Sequence, residues 1–107
     1  MIIVSGWVRL KLGALADLRP HAVSMIAESL KEPGCIDYAY SVDFGDPDLV
    51  RIIELWRDDA ALAAHFATPH MAAFNAALAK VALAGASVKS YSAELQRTLM
   101  GGEDARP

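Results

Sequence analysis

The hydrophobic period changes along this chain, and the order of those changes restricts the fold more than any single motif. Residues 2–12 alternate: Ile2, Val4, Gly6, Val8, Leu10 and Leu12 point one way, and Ile3, Ser5, Trp7, Arg9 and Lys11 the other. A period of two is a strand. After Gly13 the period lengthens, and Leu15, Leu18, Ala22, Met25, Ile26, Ser29 and Leu30 form one helical stripe. Pro20 is tolerated only in a first turn, which predicts a helix starting near Leu18 or Arg19 with Asp17 as its N-cap. Glu32-Pro33-Gly34 ends that helix.

Alternation returns over residues 35–44, where Ile36, Tyr38, Tyr40, Val42 and Phe44 share a face. Gly45-Asp46-Pro47-Asp48 has hairpin-loop chemistry. Residues 49–56 are the next strand. Asp58 or Asp59 caps a short helix to about Phe66, and Thr68-Pro69 starts another as N-cap and first helical residue. The stripe Met71, Phe74, Leu78, Val81 carries this helix through Ala-rich sequence to about Leu83, with Gly85 as its stop. A last strand covers residues 87–95. The order is a split βαβ arrangement of ferredoxin-like type, an α+β fold with a four-stranded antiparallel sheet and helices on one face. One domain over residues 1–96 and a polar tail over 97–107 are expected.

Strands with one wet face alternate cleanly between apolar and polar. Here Trp7 and Ile3 oppose Val4 and Val8, and Trp56, Ile52 and Val50 oppose Ile53 and Leu55. Helices cover one face only, so the other is expected to pack against a second copy, sheet on sheet.

Ten Lys+Arg against thirteen Asp+Glu give a net charge of −3, which supplies no basic surplus for nucleic acid. The single cysteine, Cys35, cannot form an internal disulfide and fits a reducing, cytoplasmic setting. The apolar start is short and soon charged, unlike a signal peptide or membrane span. No P-loop, G-x-S-x-G elbow or G-x-G-x-x-G is present.

Glu32-Pro33-Gly34-Cys35-Ile36-Asp37-Tyr38 is followed by Glu54-Leu55-Trp56, by Asp58-Asp59-Ala60-Ala61-Leu62, and by His65-Phe66-Ala67-Thr68-Pro69-His70-Met71-Ala72-Ala73-Phe74. In this order and spacing the pieces resemble the antibiotic biosynthesis monooxygenase family, which includes quinol monooxygenases. The resemblance spans residues 2–95. It implies a dimeric α+β barrel with a pocket between sheet and helices in each subunit. It also implies oxygenation of a small aromatic quinol, anthrone or phenol by O₂ without cofactor, metal or flavin. Haem-degrading relatives carry Asn, Trp and His at positions that hold Trp7, His65 and Asn75 here. That substitution pattern disfavours haem chemistry, with His70 left open as a ligand.

His65 and His70 are the candidate catalytic bases, since imidazole exchanges protons near neutral pH. Trp7, Tyr38, Trp56, Phe66 and Phe74 are candidate walls for a flat substrate, and Asn75 a candidate donor to a substrate oxygen. The histidines are five apart across Thr68-Pro69 and lack the i,i+4 spacing of a helical metal pair. Glu54, between Ile53 and Leu55, is expected to pair with Arg9 or Arg51. Two alternatives remain: an isomerase or lyase using a histidine proton shuttle on the same barrel, and a non-catalytic aromatic-ligand-binding module.

Overall fold

The computed structural model describes residues 1–102; the end of the expected tail, residues 103–107, lies outside the described residues. The elements run β1 (Ile2–Leu10), α1 (Leu15–Ser29), β2 (Cys35–Asp43), β3 (Asp46–Trp56), α2 (Asp59–Phe66), α3 (Pro69–Leu78) and β4 (Leu83–Ser92). The four strands form one antiparallel sheet in the order β2-β3-β1-β4.

Cross-strand partners share a face. Val4 lies opposite Glu54 and Ser90, and Gly6 opposite Ile52 and Val88. Tyr38 lies opposite Glu54, and Tyr40 opposite Ile52. This is the face the helices cover. Val4, Val8, Val50, Tyr38 and Trp56 are buried there against Leu18, Met25, Ala61 and Leu62. The α1 helix lies over β2, with α3 beside it and α2 over β3. Over β4 the face is left open, and Ala86, Val88 and Ser90 are exposed. Among the described residues no helix is long and apolar enough to cross a membrane.

Several boundaries differ from the sequence reading, and β4 ends at Ser92, short of the expected residue 95. The α1 helix starts at Leu15 and holds Pro20 inside it. Gly13, at φ +83°, turns the chain, the Leu18 N–H donates to the Ala14 carbonyl, and burial of Ala14 and Leu18 fixes the first turn. Asp17 therefore sits in the first turn and is not the cap. The β2–β3 hairpin turns at Phe44-Gly45, and Asp46, Pro47 and Asp48 already belong to β3. The register of β1 ends at Leu49, so Pro47 lies where no β1 carbonyl needs a donor. Finally, α3 stops at Leu78 and the Ala-rich run enters β4 at Leu83. Pairing of Leu83 with Leu10, and a Lys11 N–H bond to the Ala82 carbonyl, override the helix propensity of that run.

Candidate functional site

Three turns bring the polar residues of the site together. Glu32 follows α1, and its N–H donates to the Ser29 carbonyl. Gly34, at φ +84°, lets the chain reverse, and the Arg57 N–H then bonds the Gly34 carbonyl at 2.8 Å. A Cβ on Gly34 would lie 2.7 Å from the Ala61 side chain. The Glu-Pro-Gly turn is thus pinned beneath the start of α2, with Glu32 turned inward.

Asp58 caps α2 by accepting the Ala61 N–H at 2.8 Å, and this bond, with Arg57 beside it, lowers the proton affinity of its carboxyl. Thr68 joins the two helices. Its hydroxyl donates to the His65 carbonyl at 2.7 Å and accepts the Met71 N–H at 3.2 Å. His65, in the last turn of α2, and His70, in the first turn of α3, are thereby held with ring centres 5.8 Å apart.

Both rings meet one atom. Glu32 Oε2 lies 2.6 Å from His65 Nδ1 and 2.8 Å from His70 Nε2. His65 is only 1% exposed, and its ring centre lies 4.7 Å from that of Trp56 and 5.5 Å from that of Tyr38.

His65 lines a cavity of about 460 Å³ between the sheet and the α2–α3 pair. That volume is in the range of small-molecule sites. Val4, Val8 and Ile52 form its floor, Tyr38, Tyr40 and Glu54 one wall, and Phe66, Met71, Phe74, Asn75 and Leu78 the helical side. Asp59 and Lys89 also line it.

Glu54 is 7% exposed, and the Trp56 indole N–H donates to its Oε1 at 2.9 Å. Burial pushes its carboxyl above the usual range, and the indole bond pulls the other way without winning. The Tyr38 and Tyr40 hydroxyls are 2.7 Å apart. Burial drives Tyr38 far above the ordinary phenol value, with the Tyr40 and Glu54 charges adding to it. Tyr40 is pushed up to about 12, chiefly by burial.

The candidate walls divide. Tyr38, Phe66, Phe74 and Asn75 line the cavity, as does His65. Trp7 does not. It pairs with Arg51 and Ser87 on the opposite face of the sheet, against Gly85, because odd positions of β1 point away from the helices. Trp56 is fully buried behind the wall, where it holds Glu54. His70 lines a separate small cleft with His21, Ser24 and Met25. The expected pairing of Glu54 with an arginine is also corrected: Arg9 bonds Asp46 and Arg51 bonds Asp43. Those partners lie on the other face of the sheet or at its hairpin end, whereas Glu54 points inward. Glu32 and Tyr40 were not foreseen as site residues. Tyr40 shared a face with Tyr38 in the alternation; Glu32 was legible only as a helix stop.

Residues 1–77 match the family model described as antibiotic biosynthesis monooxygenase. The chain belongs to this family. An uncharacterized protein of Synechocystis sp. is 30% identical over 98 residues, which cover 92% of this chain and 67% of that protein. The Escherichia coli protein YgiN, named a probable quinol monooxygenase, is 42% identical over 57 residues. That stretch covers 46% of this chain and 55% of YgiN, so the chain spans little more than half of this relative's length. Among solved structures, a Deinococcus radiodurans protein provisionally assigned to the antibiotic biosynthesis monooxygenases superposes with a TM-score of 0.85 at 27% identity. The match covers 94% of this chain and all of that one. Another antibiotic biosynthesis monooxygenase superposes with a TM-score of 0.79 at 27% identity, over 89% of this chain and 100% of its own.

Proposed function

We propose that the protein is a cofactor-independent monooxygenase that oxidises a small aromatic quinol, anthrone or phenol with O₂, with His65 as the base. The observation that carries this reading is a buried histidine on an aromatic-lined cavity, its Nδ1 held by a carboxylate. With Nδ1 engaged, Nε2 is the nitrogen left to take a proton from a substrate hydroxyl or activated C–H. The resulting electron-rich anion passes an electron to O₂, and the two radicals combine into a peroxide. Breakdown of the peroxide leaves one oxygen on the ring and releases the other as water, with the proton returned from His65. All four electrons come from the substrate: a quinol plus O₂ becomes a hydroxyquinone plus water. Asn75 and the paired tyrosines are the groups available to hold the substrate oxygens. The aromatic walls favour a flat ring.

The working form in this proposal is a homodimer. Ile53 and Tyr91 are 38% and 51% exposed on the helix-free face, next to Ile3, Leu55 and Trp7. A second copy would bury that surface. Light scattering is expected to give twice the chain mass of 11.5 kDa; a monomer at micromolar concentration would refute the dimer.

The deciding experiment is O₂ uptake by chelator-treated protein with dihydroxynaphthalenes, anthrones and reduced quinones. Uptake above autoxidation that disappears in His65→Ala supports the reading. Conversion of a substrate without O₂ would indicate the proton-shuttle isomerase instead, and binding without turnover would indicate a ligand-binding module.

A further inference from the structure

His65 and His70 share one carboxylate oxygen, and that sharing gives the two rings different roles. We propose that Glu32 and His70 are positioning residues that lock His65, whose ring lines the cavity, in the tautomer with its proton on Nδ1 and a bare Nε2. The assignment of a catalytic purpose to this lock rests on His65 being the base; the tautomer itself does not.

The argument is one of valence. A carboxylate only accepts hydrogen bonds, and a neutral imidazole has one N–H and one lone pair. Glu32 Oε2 is within hydrogen-bond distance of both His65 Nδ1 and His70 Nε2. Both contacts are satisfied at once only if both nitrogens are donors. Neutral His65 is then the Nδ1–H form and neutral His70 the Nε2–H form. A proton path from His65 through Glu32 to His70 is closed by the same count, because His70 Nε2 already carries a hydrogen. His70 therefore stands outside the proton transfer. Its place fits that role: it lines a separate small cleft with His21, Ser24 and Met25, and not the cavity. What it supplies is a second donor that fixes Oε2, with its own position set by the Thr68 cap.

A divalent cation is the rival occupant, since the three ligand atoms lie within 4.8 Å of one another. A metal would need the lone pairs of His65 Nδ1 and His70 Nε2. It would impose the opposite tautomer on each ring, so the two arrangements give opposite spectra.

The test is a long-range ¹H–¹⁵N correlation spectrum of the full-length, ¹⁵N-histidine-labelled protein at alkaline pH, before and after one equivalent of Zn²⁺. The expected result is an unprotonated Nε2 on His65 and a protonated Nε2 on His70, unchanged by zinc. His70→Gln, whose amide N–H reaches the same place, should keep the His65 pattern, while His70→Ala, by leaving Glu32 Oε2 free to turn away from His65 Nδ1, should admit some of the Nε2–H tautomer. Glu32→Gln, which preserves shape but adds a competing N–H, should also give a mixture and serves if the alanine variant does not fold. With a turned-over substrate, His70→Ala should lower kcat about tenfold with KM nearly unchanged, and His70→Gln should recover most of it. Three results would overturn the proposal: an Nε2–H tautomer of His65 in the native protein, stoichiometric zinc binding with both tautomers reversed, or a His65 tautomer indifferent to removal of His70 and of the Glu32 charge. If no substrate is oxidised, the spectra still decide.

Discussion

Replacing Trp56 by Phe isolates the hydrogen bond that makes a buried carboxyl tolerable. The indole N–H donates to Glu54 Oε1 at 2.9 Å, and Trp56 is wholly buried. A hydrogen bond to a charged group contributes about 1.5–3 kcal/mol. The smaller ring adds about 1 kcal/mol for lost contacts and cavity. The expected loss is about 3 kcal/mol, a large part of the roughly 5–15 kcal/mol that holds a domain of this size, and it should lower Tm by roughly 15 °C. The pH dependence has a definite sign. Burial raises the proton affinity of Glu54, so proton uptake favours the fold. That contribution is complete below the ordinary carboxylate range and is lost as pH rises through the raised folded-state value. The indole bond holds that value down. Without it the window extends further upward, and Trp56→Phe should cost more at pH 8 than at pH 5. The assay is urea unfolding followed by circular dichroism at both pH values and one protein concentration, as a double-mutant cycle with Glu54→Gln. A coupling energy below about 0.5 kcal/mol at both pH values, or a larger one at pH 5, would refute the reasoning.

Glu54→Gln alone should gain stability over the native chain as pH rises, because the native carboxyl must ionise in a buried site; equal pH profiles would contradict the assignment. Thr68→Ala should cost about 1 kcal/mol through loss of the α3 cap and, by loosening the α2–α3 junction, broaden the imidazole signals of both His65 and His70. Gly6→Ala should destabilise by about 3 kcal/mol or more. Its Cβ would run into the Ser87 carbonyl and lie 2.6 Å from Val88 Cα, backbone atoms that yield only by opening the β1–β4 pairing. Retention of native Tm in Gly6→Ala would mean the strands approach less closely than described.

What the sequence determined alone is the local part of this molecule. Period-two and period-3.6 patterns depend on neighbours a few residues apart, so the order of strands and helices could be read directly, as could the Thr68 cap and the choice of Asp58 or Asp59 as the α2 cap. The family resemblance rested on short motifs, each legible in a line of residues. Tertiary structure decided where competing local preferences met. The end of the Ala-rich segment, from Leu83, became strand because β1 offered a partner, and Pro20 stayed helical because its helix had a core to cover. The same holds for the site. Trp7 and Trp56 look alike in sequence, yet one lies on the helix-free face and the other beneath the helices. Glu32 precedes His65 by 33 residues and reads as a helix terminator; only the fold brings its oxygen to two imidazoles. A hydrogen bond between side chains so far apart in the chain leaves no periodic trace, because its geometry depends on how whole elements pack.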